Sequence, residues 1–436
     1  MESWLDGHRA PVPDETTARD LPVKGVLPAE LDGRYLRNGP NPKPGEPSRH
    51  WFTGHGMVHG IRLRDGRAEW YRNRWVRTTR FTNGAPYLRD DLSLDLAAVP
   101  ANTHVIAHDG TVYALVENGL PYELTPDLDT VGPCDFAGRL TTAMTAHPKR
   151  DPRTGDLLFF GYGAVPPYLT HHRLSADGRL VESREIEVPG PTMMHDFAIT
   201  ERYVVWLDLP MVFDLELLDR GMPYRWDGAY GARIGVMPRE GEPRVRWFDV
   251  DPCYVFHVGN AFEDDRGRVT LTGVRYDEAD IASLWSEIGG APSSVSSPSG
   301  DSYLHRWTLD PATGRAHEEK LDDLSVEFPT LDDDRVGRAH RYLYSVTRSG
   351  VVKHDLESGS SASRRLDGHV GEAVFVPAEG RRDEDDGWLL TVESGASGSS
   401  LLVLAAADLS ETARVLLPRR VPAGFHGSWI PAAAVR

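Results

Sequence analysis

Cysteine is almost missing from this chain. Its 436 residues include two, Cys134 and Cys253, with no CxxC spacing, which argues against a disulfide framework or a thiolate zinc site. Both read as small buried apolar residues. Long hydrophobic runs are missing as well. None approaches the roughly 20 apolar residues of a membrane-spanning helix, and the opening MESWLDGHRAPVPDETTARDLPVKG has no apolar core of signal-peptide length. The expectation is a cytoplasmic protein without a transmembrane segment. Positive charge is in deficit: 48 Lys and Arg stand against 65 Asp and Glu, a net charge of −17. Nucleic-acid binding, which needs clustered cations, is therefore not expected, and the negative excess serves solubility.

What the chain does have is turns and short strands. It holds 42 Gly and 32 Pro, and its dominant rhythm is an alternating or apolar run closed by an Asp-Gly or Thr-Gly pair. Examples are GIRLRDGRAEWYRNRWVRT, THVIAHDGTVYALVE, YVVWLDLPMVF and RYLYSVTRSGVVKHDL. Such pairs are hairpin signals, because their central residues tolerate positive φ. Strands spread evenly over 400 residues predict an all-β architecture, a β-propeller occupying residues 1–436 as one domain. Blade number cannot be read from these runs. Two segments read as helices between strand pairs, Leu92 to Val99 and Asp277 to Gly289. The stretch Gly289 to Ser302 reads as a surface loop.

Four of the 17 histidines sit in short, structured settings that resemble the ends of buried strands. They are His147 in TAHPKRDP, His195 in MMHDFAIT, His257 in CYVFHVGNAFED and His426 in AGFHGSWIP. None shares a helix face with another, so only a closed, symmetric fold brings them together. Neutral imidazoles converging on one point suit a redox or Lewis-acid metal. His8, His50, His55, His171, His172, His317, His340, His354 and His369 lie in polar or turn-like contexts and read as solvated or hydrogen-bonded. Glu117, Glu327 and Glu372 each interrupt an apolar run, where a carboxylate is costly unless paired. Each would serve as acceptor for the second ring nitrogen of a metal-bound histidine. The alternative for each is a salt bridge to Arg or a half-exposed strand position.

Taken together, the motifs resemble those of the carotenoid cleavage oxygenase family. They run from GRYLRNGPNP at Gly33 and HWFTGHGMVHG at His50, through ALVENGLPYEL, TAHPKRDPRTGDLLFFGY, MHDFAIT, FHVGNAFED, VEFP and GEAVFVP, to FHGSWIP at Phe425. The resemblance implies a seven-bladed β-propeller with short helices and loops capping one face. It implies ferrous iron, Fe(2+), held by His147, His195, His257 and His426, with Glu117, Glu327 and Glu372 behind them. It also places Thr103 where a methyl group crowds one open iron position, which would direct dioxygen to the other. The activity it implies is oxidative scission of a C=C bond into two carbonyl products, on a substrate lying in an apolar tunnel. The aromatic and Met residues of WFTGHGM, PTMMHDF and DLPMVFDLELL are tunnel-lining candidates.

One residue bears on which alkene is cleaved. Stilbene-cleaving members place a Lys directly before the first of the three glutamates, and here that position is Val116. An apolar residue there favours a carotenoid or apocarotenoid, with a stilbene or phenylpropenyl compound as the alternative. The segment Leu207 to Met222 is the best candidate for an apolar membrane-facing patch, but its acidic residues allow at most weak peripheral contact, and the favoured reading is a propeller-face loop closing the tunnel. Two other classes compete: a non-catalytic propeller that binds partners, with scattered histidines, and an isomerase or hydrolase using the metal as a Lewis acid.

Overall fold

The hairpin rhythm of the sequence becomes seven antiparallel sheets arranged as the blades of a β-propeller. This is a computed structural model, and it describes residues 5–48, 50–91, 93–220, 222–290, 300–396 and 398–435. Blade 1 contains Gly33–Arg37, Met57–Arg64, Arg67–Trp75 and Thr16–Arg19; blades 2 to 6 follow in order over 104–133, 149–185, 198–249, 254–325 and 327–365. Blade 7 builds on Gly387–Gly395, Gly398–Ala405 and Glu411–Leu416. The ring is closed from both chain ends. The C-terminal strand Gly427–Pro431 pairs with Gly33–Arg37 in blade 1, and the N-terminal strand Val23–Gly25 pairs with Glu411–Leu416 in blade 7. A two-stranded ribbon, Met211–Phe213 against Tyr224–Trp226, stands apart from the blades. The Asp-Gly pairs turn as expected: Asp65 and Gly66 have φ of 49° and 70°, Asp109 and Gly110 of 45° and 79°.

The core is distributed rather than central. A separate apolar cluster fills each of the seven junctions between neighbouring blades. Between blades 3 and 4, for instance, Phe197 stacks on Trp206 at 5.5 Å while Phe160 meets both edge-on. Burying an aromatic of this size contributes on the order of 1.5–3 kcal/mol. The blade junctions therefore hold the ring rigid, and the axis is left to polar side chains.

Helix is scarce, and one expectation fails. Residues 93–99 form turns, with an isolated bridge between Leu88 and Leu94, and no helix; Leu92 lies outside the described residues. Tertiary bonding overrides the helical pattern there, because the Leu96 carbonyl accepts from Leu120 N–H and Asp95 turns the chain through Ala97 and Ala98. A short helix that the sequence did not announce, α1 (Thr79–Asn83), is capped by Thr78 and ends on Gly84 at φ 67°. The second expected helix is present as α2 (Glu278–Glu287), capped by Asp277, whose carboxylate accepts from Asp280 N–H. Most of the expected loop Gly289 to Ser302 lies outside the described residues. No described helix is long and apolar enough to cross a membrane. Cys253 is buried as expected, whereas Cys134 is only half-buried; burial pushes each thiol up to about 12.

Candidate metal centre

Each blade has one candidate residue at or near the start of its innermost strand. His426 precedes Gly427–Pro431, Thr103 precedes His104–His108, His147 precedes Lys149–Arg150 and His195 precedes Ala198–Ile199. His257 lies early in Tyr254–Glu263, Glu327 opens Glu327–Thr330, and Glu372 sits between the two short inner strands of blade 7. The histidines thus mark strand beginnings, not the strand ends expected from their flanking residues. Glu117 comes from elsewhere, just past the second strand of blade 2.

The four histidines converge. One nitrogen from each of His147, His195, His257 and His426 falls in a group whose members all lie within 4.8 Å of one another. His147 Nε2 and His195 Nε2 are 3.0 Å apart, and His195 Nε2 and His257 Nε2 are 3.3 Å apart. Metal–nitrogen bonds of about 2.1 Å at right angles put neighbouring donors about 3 Å apart. The spacing therefore suits adjacent ligands on one ion.

Three of the four imidazoles are aimed by glutamates. Glu117 Oε1 lies 2.5 Å from His195 Nδ1, Glu327 Oε2 2.6 Å from His257 Nδ1, and Glu372 Oε1 3.0 Å from His426 Nδ1. With Nδ1–H hydrogen-bonded to a carboxylate, the His257 and His426 rings present the lone pair of Nε2 to the axis, while His195 Nδ1 touches Glu117 without hydrogen-bond alignment. Each glutamate is itself held: Tyr162 hydroxyl donates to Glu117 at 2.7 Å, Tyr276 hydroxyl to Glu327 at 2.8 Å, and Gly427 N–H to Glu372 at 2.8 Å. The expected alternative, a salt bridge to Arg, is not what these three carboxylates make among the described residues.

Burial and charge set the protonation states. Burial drives His147 well below its ordinary value, helped by the three neighbouring imidazoles, and brings His426 down to about 4 against the pull of Glu372. Burial also opposes a charged His257, but the Glu327 carboxylate outweighs it and raises that pKa. Burial would raise Glu372; His426 and the Gly427 amide reverse it and bring the carboxyl down to about 2. The site thus holds anionic carboxylates behind imidazoles, a donor set fitted to a divalent cation.

The remaining expectations divide. Thr103 adjoins the centre: its carbonyl accepts from His426 N–H and its hydroxyl donates to Asn102 at 3.1 Å. Val116 packs into the apolar cluster between blades 1 and 2, one residue from Glu117. Of the nine histidines read as solvated or hydrogen-bonded, four are buried and hydrogen-bonded: His50 to Phe52 N–H, His55 to Glu46, His172 to Thr142 and Ser183, and His354 to Ser345 and Ser361. His171 departs from that reading: it is buried with neither ring nitrogen bonded, because its strand is covered on both faces there. None of the nine joins the metal group.

Two residues that matter here carried no sequence signal strong enough to single them out. Asp196 accepts from Lys149 Nζ at 2.8 Å and from Val258 N–H at 2.8 Å. It therefore ties together the chain segments next to His147, His195 and His257. Its place directly after His195 was the only hint. His104 bridges the Ala146 carbonyl and the Ser428 hydroxyl, at 2.9 and 3.1 Å, beside His147 and His426.

Comparison with known proteins agrees with this geometry. Residues 9–431 match the family model described as retinal pigment epithelial membrane protein. The carotenoid cleavage oxygenase of Mycobacterium tuberculosis is 40% identical over an alignment covering 98% of this chain and 97% of that protein. The chain belongs to the carotenoid cleavage oxygenase family. Among solved structures, the lignostilbene dioxygenase of Pseudomonas brassicacearum superposes with a TM-score of 0.86 at 29% identity, covering 98% of both chains. A variant of the Synechocystis apocarotenoid oxygenase superposes with a TM-score of 0.85 at 27% identity, covering 99% of both. Members of the family thus share the seven-bladed frame over essentially the whole length of this chain.

Proposed function

We propose that residues 1–436 form one oxygenase domain in which His147, His195, His257 and His426 hold Fe(2+), and that the protein cleaves the C=C bond of a carotenoid or apocarotenoid with dioxygen. The observation that carries this reading is the convergence of four imidazole nitrogens, three of them fixed by Glu117, Glu327 and Glu372. Iron bound there would supply dioxygen activation. The C=C and O=O bonds break and two C=O bonds form, so no outside reductant is required.

The chain's own residues orient and exclude water; none need act as acid or base. The glutamates fix the imidazole tautomers, and Thr103 stands where its methyl would restrict one side of the metal. An apolar wall suits the cargo: Val116 is buried beside Glu117, and Trp51, Phe52, Phe256 and Phe425 pack between α2 and the histidines. Replacement of the phenol-binding Lys by Val116 favours a polyene over a hydroxystilbene. A stilbene or phenylpropenyl substrate is the second reading, supported by the likeness to lignostilbene dioxygenase. We assign the protein to the cytoplasm, with at most weak peripheral membrane contact through Leu215 and Leu218, which are 70% and 46% exposed.

The test is turnover under 18O2. Fe(II)-loaded protein is incubated with apocarotenals and hydroxystilbenes, and the carbonyl products are analysed by mass spectrometry. One labelled oxygen in each product is expected. Cleavage without label, or no cleavage across the panel, overturns the reading; product formed without oxygen uptake points to Lewis-acid isomerisation or hydrolysis.

A further inference from the structure

Blade 2 sits between two blades that bear candidate metal ligands and bears none itself. His426 belongs to blade 1 and His147 to blade 3, and their rings stand at 90° with centroids 4.5 Å apart. The side chain that spans the gap is His104, which opens the innermost strand of blade 2, His104–His108. Its Nδ1 lies 2.9 Å from the carbonyl of Ala146, the residue before His147. Its Nε2 lies 3.1 Å from the hydroxyl of Ser428, two residues after His426. The ring also rests against both candidate ligands, with centroids 5.2 Å from His426 and 6.4 Å from His147.

A carbonyl can only accept, so His104 Nδ1 carries the proton toward Ala146 and Nε2 of the neutral ring accepts from Ser428. Burial lowers its pKa and keeps the ring neutral, against the pull of Glu372 and of the Ala146 and Gly427 carbonyls. Both ring nitrogens are thus spent on the chain. His147 needs this support more than its partners do. Among the described residues it is the one candidate ligand with no carboxylate against its ring, since Glu117, Glu327 and Glu372 stand behind His195, His257 and His426. It is held instead through the backbone on either side: Lys149 reaches Asp196 in blade 4, and His104 in blade 2 holds Ala146. A backbone link crosses the same gap toward blade 1, where His426 N–H donates to the Thr103 carbonyl.

We propose that His104 is a positioning residue of the metal centre: bonded to Ala146 and Ser428, it fixes the His147 and His426 segments on either side of blade 2 and so sets the distance and angle between those two ligands. The inference rests on the metal-binding reading and extends it to a residue that holds no metal itself. An imidazole suits the task because it is rigid and offers one hydrogen-bonding atom on each side. Phenylalanine keeps a ring and loses both bonds. The other end of the same strand supplies a matched comparison. His108 is buried, and its Nε2 lies 2.8 Å from the Ser175 carbonyl, so it joins blades 2 and 3 without reaching a ligand segment.

The test compares His104→Phe with His108→Phe in the full-length protein. Ferrous iron affinity is read by competition with a chelator, and ligand geometry by the visible absorption of the cobalt(II)-loaded protein. His104→Phe should weaken iron binding about tenfold, the lower end of the range for a group that supports a ligand, and shift the cobalt bands. His108→Phe loses a buried bond of the same kind and should leave both readings at wild-type values. Ser428→Ala unpins Nε2 alone. It should shift the cobalt bands in the same direction by less, and it decides the matter if His104→Phe does not fold, unshifted bands then overturning the inference. Wild-type affinity and bands in His104→Phe, or equal changes in His108→Phe, overturn the inference and leave the metal-binding reading standing. A wild type that binds neither iron nor cobalt brings down that reading and the inference together.

Discussion

The two ends of the propeller axis are built from the same strands and do opposite things with charge. The innermost strands begin at the histidines and glutamates and end at a polar cavity of about 510 Å³ lined by Asp332, Asp334, Arg335, Arg338, Arg381 and Glu384, among others. At the far end, acids and bases pair with one another: Arg381 with Asp332 at 2.5 Å and with Asp334 at 2.9 Å, and Arg338 with Glu201 at 3.5 Å. At the beginning, three carboxylates pair with imidazoles. A carboxylate matched to a guanidinium is spent; a carboxylate behind an imidazole leaves the outer ring nitrogen free for a cation. What separates the candidate metal centre from a polar plug is thus the partner of the acid, not the number of acids.

Breaking the comparison at its strongest point should have the largest effect. His257→Ala removes one donor and leaves Glu327 buried without its partner. We expect loss of stable iron binding, measured by metal analysis of the purified protein; a variant that keeps stoichiometric iron and full activity refutes the ligand assignment. A smaller effect follows from Glu372→Gln, which keeps the shape but makes the acceptor neutral. Metal affinity or turnover should drop 10–100-fold, on the order expected for a residue supporting a ligand. Competitive metal titration reads this, and wild-type affinity together with wild-type turnover would return Glu372 to a packing role. Smallest of all is Arg338→Gln at the far end. Its pair with Glu201 is largely exposed, so thermal or urea unfolding should show a change of no more than about 1 kcal/mol, with iron content unaltered. Loss of iron there would mean that the two ends are coupled.

Much of the candidate centre was legible because the four histidines and three glutamates stand in short distinctive motifs, such as MHDFAIT and GEAVFVP. Tyr162 and Tyr276 were not, since a tyrosine in a strand reads as core whether or not its hydroxyl holds a glutamate. Asp196 could not be weighed either: its partners, Lys149 and Val258, come from the neighbouring blades 3 and 5. The segment 93–99 carried a helical pattern and lost it to bonds from Leu120, a contact that local periodicity does not encode.

By itself the sequence determined the local vocabulary of this protein: strands closed by Asp-Gly turns, a helix beginning near Asp277, and four histidines with three glutamates in recognisable settings. Periodicity and turn chemistry act over a few residues, so they can be read from a few residues. Only the tertiary structure decided that Gly427–Pro431 completes the blade begun at Gly33, and that seven strand beginnings meet on one axis. Ring closure depends on packing between blades. That packing places His147 and His426, 279 positions apart in the sequence, in one metal-sized group.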